Sequence, residues 1–274
     1  MNSLDQSKLI AEAENNLKLK LSYIPNKIKE MTVKTWDSLQ VVNTHLPSDT
    51  FNTVFGKPTT INNVQAITNY YREKNFPAAW WLGPSAIKKE TEEYLRTSGW
   101  IHEEVDIGMI CNLNDIKTHT HLPENFHIVH CSNIEQHNHF GEVLASIFDP
   151  IDENVKEYYK KMSIEVKNYQ PTMQLLVGYY KSNLGENIPV AIAAVFMSGV
   201  AGIYDIATLP NMRKRGFGSA MFHAALKEAK NCGAKTAVLQ ASLDGLRIYE
   251  QAGFKAIGEF HVWSNKPTLN GEVK

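Results

Sequence analysis

The sequence contains few cysteines, no excess of charge and no long apolar run. Three cysteines, an odd number without CxxC spacing, disfavour a disulfide framework or a thiolate zinc site and favour a reducing compartment. A formal net charge of -1 gives no general affinity for nucleic acid or for an anionic membrane. No segment approaches the roughly 18 apolar residues of a membrane span, and the N-terminal segment lacks the features of a signal peptide. We therefore expect a soluble, cytoplasmic protein.

The chain is longer than a typical single domain. Its 274 residues exceed the usual range of ~100–200 residues, so two domains are expected. The stretch 113–125 is polar, contains a proline and has no periodicity, which is typical of a linker. The sequence therefore predicts one domain over residues 1–118 and a second over 125–274.

Hydrophobic periodicity predicts that helices and strands are mixed in both halves. In the first half the predicted helices cover 3–20, 23–31, 61–74 and 87–98, and the strands cover 39–46, 51–55, 78–83 and 100–113. In the second half the predicted strands cover 126–131, 173–181, 188–197, 201–208, 235–241 and a segment from 254, and the helices cover 134–147, 153–166, 216–230 and 245–252. This pattern predicts a fold of the α/β or α+β class.

The stretch ATLPNMRKRGFGSAMF, residues 207–222, combines three cations at 213–215 with Gly216 and Gly218 at a predicted helix start. The first helical turn exposes unpaired N–H groups and the positive end of the helix dipole, and both attract anions. Glycines let a phosphate approach the backbone, and the arginines add charge-assisted hydrogen bonds. The pattern suits a pyrophosphate, although a solvated helix entrance has the same composition. Neither GxxxxGK[ST] nor GxGxxG occurs.

The surrounding order of motifs resembles the GCN5-related N-acetyltransferase (GNAT) superfamily. Arg213-x-x-Gly216-x-Gly218 is followed by a helix, a strand, and Tyr249 in the segment YEQAGF, which matches the family's YxxxGF-like pattern. The resemblance covers roughly residues 125–265. It implies a mixed, mostly antiparallel central sheet flanked by helices, with acetyl-CoA as cosubstrate.

The resemblance also implies roles for individual residues. The backbone of the turn would hold the CoA pyrophosphate, through Arg213, Lys214, Arg215, Gly216, Phe217, Gly218 and Ser219. The end of the preceding strand would pair with the pantetheine amides, through Ile206, Ala207 and Thr208. Many members carry an asparagine seven residues before the tyrosine, and this sequence has Ser242 there. That departure leaves one CoA contact in doubt.

Amine attack on a thioester requires a polarised carbonyl and a proton for the leaving thiolate. The resemblance places Tyr249 where the general acid of the family lies, and a phenol of pKa ~10 can protonate a thiolate of pKa ~8.5. Backbone N–H groups of a splayed strand 201–208 would stabilise the oxyanion. Asp205 is the candidate general base, acting through water. The structural alternatives are a packing role for Tyr249 and a surface or hydrogen-bonded strand carboxylate for Asp205.

The first half repeats the motif order of the second without its functional residues. Aligning Gly99 with Gly253 pairs Trp100 with Phe254, and the helix and strand order upstream also matches. The first copy has no RxxGxG turn, and Leu95 stands where the second has Tyr249. We therefore expect two tandem GNAT-like domains, of which the first is degenerate and binds no CoA. Its Trp80 and Trp81 either line the acceptor cleft or belong in part to the core.

Histidines are concentrated in one region of the chain. Six of the ten lie at positions 119, 121, 127, 130, 137 and 139. No carboxylate or thiolate completes a recognised ligand spacing, so no physiological metal is expected.

Two functional hypotheses follow. The first is an acyl-CoA-dependent N-acyltransferase, with acetyl-CoA as cosubstrate, that acts on a primary amine of a small molecule or peptide. The second is a non-catalytic CoA-sensing or protein-interaction module. Fold-level resemblance names neither the acceptor nor the oligomeric state.

Overall fold

The computed structural model of the protein describes residues 3–116, 121–243 and 245–269. Its helices and strands follow in the order α1 (Ser3–Tyr23), β1 (Thr32–Trp36), β2 (Leu39–Asn43), β3 (Thr53–Phe55), α2 (Ile61–Arg72), β4 (Ala79–Leu82), α3 (Lys89–Thr97), β5 (Ile101–Asn112), β6 (Phe126–His130), α4 (Ile134–Ala145), α5 (Glu153–Glu165), β7 (Met173–Lys181), β8 (Asn187–Ser198), β9 (Val200–Thr208), α6 (Phe217–Asn231), β10 (Thr236–Ala241), α7 (Leu246–Gln251), β11 (Lys255–Ser264) and α8 (Lys266–Leu269). None of the described helices combines the length and apolarity that crossing a bilayer requires.

The chain divides into two units, and each takes residues from both halves of the sequence. The described residues of unit 1 fall within Met1–Met109, Gln240–Glu250 and Lys255–Lys274, and those of unit 2 within Ile110–Leu239 and Gln251–Phe254. Residues 117–120 of the predicted linker lie outside the described residues. The boundaries at 118 and 125 therefore stay a prediction.

Unit 1 is built on a sheet of strand order β1-β2-β3-β4-β11-β5. Strands β1, β2 and β3 pair antiparallel, and α2 then connects β3 to its parallel neighbour β4. The C-terminal strand β11 pairs antiparallel with β4, with Trp263 opposite Trp80. The buried Asn265 extends this contact, because its side-chain oxygen accepts the Ala78 N–H at 2.7 Å.

Unit 2 is built on a sheet of strand order β10-β9-β8-β7-β6. All pairs are antiparallel except β9 with β10, which α6 connects in parallel. Helices cover both faces of β7. On one face His139 of α4 contacts the Tyr179 hydroxyl at 2.8 Å, and on the other Phe217 of α6 packs against Tyr180.

The two units repeat one motif, as the comparison of the first and second halves of the sequence predicts. Antiparallel strands lead into β3-α2-β4 in unit 1 and into β9-α6-β10 in unit 2. Antiparallel pairs dominate, and parallel crossovers occur only at these two helices among the described pairings. The predicted fold class, a mixed and mostly antiparallel sheet flanked by helices, is confirmed.

Local structure differs from the sequence prediction at two places near the N-terminus. Residues 23–31 form no second α-helix, because the chain makes only a single 3₁₀ turn at Pro25–Lys27 after α1. Strand β1, which the sequence analysis did not predict, follows and pairs with β2. Its side chains are half-buried or exposed, so its hydrophobic pattern is weak.

The core of unit 1 is centred on two tryptophans. Trp80 is fully buried, meets Trp100 edge-on at 5.4 Å between ring centroids, and donates its indole N–H to the Gly56 carbonyl at 3.0 Å. Trp81, the next residue on β4, points to the other face and is partly exposed. Trp80 is therefore a core residue.

Replacement of Trp80 tests this assignment. Trp80→Ala is expected to lower the free energy of unfolding by about 3–5 kcal/mol, because it leaves a cavity and an unpaired Gly56 carbonyl. Trp81→Ala is the matched control on the same strand, and we expect less than half of that loss. Urea unfolding followed by circular dichroism measures both, and equal losses would contradict the core assignment.

Candidate active site

Strand β9 carries a bulge near its C-terminal end. Ile192 of β8 lies opposite Ala207 and Ala194 opposite Tyr204, so two residues of β9, Asp205 and Ile206, face a single residue of β8. Asp205 has φ of +51°, in the left-handed region that non-glycine residues rarely occupy. A bulge of this kind bends its strand and redirects the backbone groups beyond it.

The described pairing of β9 with its parallel neighbour ends before the bulge. The described pairing between β9 and β10 joins Ala201 to Ala237 and Gly202 to Val238, and it extends no further. Residues 203–208 keep their antiparallel partner β8 on the other edge. Residues 206–208, which follow Asp205, therefore offer N–H and C=O groups on the β10 side that can bind an extended amide-containing ligand.

The segment after β9 forms an open helix N-terminus. A 3₁₀ turn at Pro210–Met212 and the left-handed Lys214 lead to Gly216, which has φ of +84° and caps α6 without a side-chain hydrogen bond. The first helical N–H groups, from Phe217 onward, therefore have no side-chain cap. Because α6 has 15 residues, its dipole adds to the attraction of an anion.

The three cations of the turn have different surroundings. The Arg215 guanidinium lies over the rings of Tyr180 and Phe217, at 4.7 and 5.1 Å from their centroids. The Arg213 side chain turns back toward β9 and donates to the Thr208 carbonyl at 3.4 Å. Lys214 is exposed. The structure thus holds two arginines beside the helix start and keeps their charge at the surface.

Gly218 lies where the helix start meets the end of β9. A Cβ atom on Gly218 would lie 3.2 Å from the Thr208 hydroxyl oxygen, which is closer than ordinary van der Waals contact. The turn and the strand end, to which the family resemblance assigns the pyrophosphate and the pantetheine, are therefore adjacent within unit 2. Ile206 and Thr208 are half-buried and Ala207 is buried on this strand end, while Ser219 is exposed on the first turn of α6.

The Asp205 carboxylate lies against buried phenols on its side of the sheet. The Tyr159 hydroxyl of α5 is 3.5 Å from the Asp205 Oδ2 atom. Burial raises the pKa values of Tyr158, Tyr159 and Tyr204, and the charge of Asp205 raises all three further. The general-base role of Asp205 stays a prediction.

Ser242 and Tyr249 belong to unit 1. The Ser242 carbonyl accepts the N–H groups of Gly245 and Leu246 at 3.0 and 3.1 Å, which starts α7. Gly245 leaves room for the tyrosine, since a Cβ there would lie 3.1 Å from the Tyr249 Cε2 atom. Burial raises the pKa of Tyr249, and the charge of Asp106 raises it further. A phenol is already protonated at neutral pH at its ordinary pKa of about 10, so this shift leaves Tyr249 in the protonated form.

Asp106 is a buried carboxyl that the sequence analysis did not single out. It lies on β5 with a relative exposure of 9%. Burial, followed by the charge of Glu104, raises the pKa of Asp106 to about 7. The sequence did offer one signal for Asp106, because it is a carboxylate within the otherwise apolar run 105–111. Asp106 occupies the same face of the strand as Gly108.

The histidine-rich region is held by separate local contacts. The ring of His137 bonds to the Asn133 carbonyl at 2.6 Å and to the Tyr169 hydroxyl at 2.9 Å, and His130 lies 3.5 Å from Glu228. His119 lies outside the described residues. In the described part of the chain, no three His, Cys, Asp or Glu side chains form a group that could hold a metal ion.

Comparison with known proteins identifies the fold and one domain. Residues 143–254 match the family model of the acetyltransferase (GNAT) family, so this segment carries a GNAT domain. No curated protein matches the sequence.

Solved structures share the fold over nearly the whole chain. A GCN5-related N-acetyltransferase from Kribbella flavida is 14% identical, with a TM-score of 0.66 over 92% of this chain and 95% of that chain. A conserved protein of unknown function from Staphylococcus epidermidis is 15% identical, with a TM-score of 0.63 over 86% and 94%. A tandem GNAT protein from the clavulanic acid biosynthesis pathway is 9% identical, with a TM-score of 0.59 over 94% of each chain. The protein has the tandem GNAT fold.

The GNAT match also indicates a class of chemistry. The family uses acetyl-CoA or another acyl-CoA as cosubstrate, and it includes N-acetyltransferases. The match over residues 143–254 therefore suggests acyl-CoA-dependent N-acyl transfer.

Proposed function

We propose that this protein transfers an acyl group, most simply acetyl, from acyl-CoA to a primary amine of a small molecule or peptide in the cytoplasm. The observation that carries the proposal is the bulged end of β9 leading directly into the uncapped, glycine-containing start of α6. That arrangement places the N–H and C=O groups of an extended strand beside an anion site. The strand groups match the amides of CoA, and the anion site matches its pyrophosphate.

In this proposal the turn 213–219 holds the pyrophosphate through backbone N–H groups, with Arg213, Lys214 and Arg215 adding positive charge. Residues 206–208 pair with the pantetheine amides, and Ser242 contributes a hydrogen bond. The exposed cations at the turn make the site attractive to a polyanion in a chain that is otherwise almost neutral.

The reaction is a direct attack in a ternary complex. The amine nitrogen forms a bond to the thioester carbonyl carbon, backbone N–H groups near the bulge stabilise the oxyanion, and the bond to sulfur breaks. Tyr249 gives its proton to the departing thiolate. The sequence motif YEQAGF supports this role for Tyr249, whose phenol is protonated at neutral pH. Asp205 is the sequence-based candidate for the base.

Binding and turnover are tested together on the full chain. We expect acetyl-CoA to raise the melting temperature, since a ligand that binds only the folded state stabilises it. A panel of acyl-CoA thioesters then gives the acyl preference, and a panel of amines and peptides is screened for release of free CoA. Absence of any acyl-CoA binding would contradict the proposal, whereas binding without transfer to any amine would favour the CoA-sensing alternative.

A further inference from the structure

The Arg215 side chain is held against aromatic rings although it lies at the surface. Its guanidinium carbon is 4.7 Å from the centroid of the Tyr180 ring and 5.1 Å from that of Phe217. Its Nη1 group donates to the Met212 sulfur at 3.1 Å. Among the described residues no carboxylate pairs with this arginine. Its positive charge is therefore held in place without being neutralised.

The two rings are themselves fixed within unit 2. Phe217, the buried first residue of α6, packs on Phe126 of β6 at 4.8 Å between ring centroids and on Tyr180 at 5.9 Å. Tyr180 is half-buried on β7, which pairs with β6 on one side and with β8 on the other. In the part of the chain that the structure describes, the Tyr180 hydroxyl has no hydrogen bond. The rings of Tyr180 and Phe217 thus form an aromatic platform for Arg215.

The other two cations of the turn lack such a platform. The Arg213 side chain donates to the Thr208 carbonyl at 3.4 Å, and Lys214 is exposed. Ordering one long, flexible side chain on binding weakens affinity by about two- to tenfold. The aromatic platform orders Arg215 before any ligand arrives, beside two further positive charges that repel it. Arg215 is therefore the cation of this turn that is preorganised for an anion.

We propose that Tyr180 is a positioning residue for CoA binding. Its ring, together with that of Phe217, holds the Arg215 guanidinium beside the start of α6, where the guanidinium binds the CoA pyrophosphate. The inference rests on the proposed function and concerns unit 2 alone. A guanidinium suits this arrangement, because its flat face stacks on a ring while the N–H groups at its edge donate to phosphate oxygens. The role requires an aromatic ring at position 180 and no hydroxyl.

Isothermal titration calorimetry of the full chain with acetyl-CoA tests the role of the ring. Tyr180→Leu keeps an apolar side chain but removes the ring, and it should weaken Kd by about two- to tenfold. Tyr180→Phe keeps the ring and should stay within about twofold of wild type. The loss should appear in Kd, with kcat at saturating acetyl-CoA unchanged, because the platform acts on binding alone. Thermal melting of each variant establishes that it is folded.

A double-mutant cycle separates positioning from a general effect on the fold. Arg215→Met should weaken Kd by about tenfold or more, because charge-assisted hydrogen bonds to phosphate are lost. Lys214→Met removes the same charge from the preceding residue and should have a smaller effect. In the Arg215→Met background, Tyr180→Leu should change Kd by less than about twofold, since no guanidinium remains to be positioned.

Acetyl-CoA without its 3′-phosphate separates the two phosphate sites of the ligand. If Arg215 binds the pyrophosphate, Arg215→Met should weaken the binding of this thioester by the same factor as it weakens acetyl-CoA binding. A loss that disappears with this thioester would overturn the pyrophosphate contact and assign Arg215 to the 3′-phosphate.

The remaining outcomes distinguish this inference from the proposed function. Wild-type affinity in folded Tyr180→Leu protein overturns the positioning role and leaves the proposed function standing. An equal loss from Tyr180→Leu in the wild-type and Arg215→Met backgrounds also overturns it, because Tyr180 then supports the fold and not Arg215. A wild-type protein that binds no acetyl-CoA overturns the proposed function and this role with it.

Discussion

Gly218→Glu should weaken acetyl-CoA binding more than 100-fold. The new side chain would start 3.2 Å from the Thr208 hydroxyl and would carry a negative charge to the first turn of α6, where the pyrophosphate is proposed to bind. Like charges brought together at a binding site cost several kcal/mol, and about 3 kcal/mol corresponds to a Kd more than 100-fold weaker. Isothermal titration calorimetry of the full chain with acetyl-CoA measures the change.

Two controls separate charge and bulk in this experiment. Lys227→Gln, at an exposed position on the same helix, changes the net charge by the same amount and should leave Kd within about twofold of wild type. Gly218→Ala adds only the Cβ atom and should have a smaller effect than Gly218→Glu. An unchanged affinity in folded Gly218→Glu protein would disprove the pyrophosphate assignment.

Tyr249→Phe should reduce kcat by about 10²–10⁴-fold, the usual effect of losing one general acid. The substitution keeps the ring that packs over Gly245 and removes only the proton donor. The loss should appear in kcat, with the Kd for acetyl-CoA nearly unchanged, because the proton transfer accompanies charge development on sulfur.

Tyr94→Phe is the matched control for that variant. The Tyr94 hydroxyl bonds to Glu90 at 2.6 Å on α3, and its removal should leave kcat within about twofold of wild type. If Tyr249→Phe stays within about threefold of wild type, the phenol is structural and water becomes the proton donor.

The second half of the fold was predictable because its signals are local. The predicted helix 216–230 begins at the glycine turn, and in the structure α6 buries Phe222, Ala225, Leu226 and Ala229 at helical spacing. The bulge in β9 has no local sequence marker of this kind. The bulge depends on pairing with β8. Within it, Asp205 adopts a left-handed backbone conformation that glycine adopts more readily than other residues.

Strand partnership across long sequence separations was not predictable. The pairing of β11 with β4 joins residues near 263 to residues near 80, and nothing in either apolar segment specifies the other as its neighbour. Asp106 illustrates the consequence. Its burial on β5 depends on neighbours that are distant in sequence, so its raised pKa could not be inferred from the strand itself.

Acyl transfer from CoA to an amine can be followed by isotope labelling. The full chain is incubated with acetyl-CoA labelled with ¹³C in the acetyl group and with an amine that stimulates CoA release, and the products are analysed by mass spectrometry. We expect the label to appear in an amide of the amine, in equal amount to the CoA released, with none bound to the protein. Label recovered only as acetate, as acetyl-protein or as unreacted acetyl-CoA would contradict it.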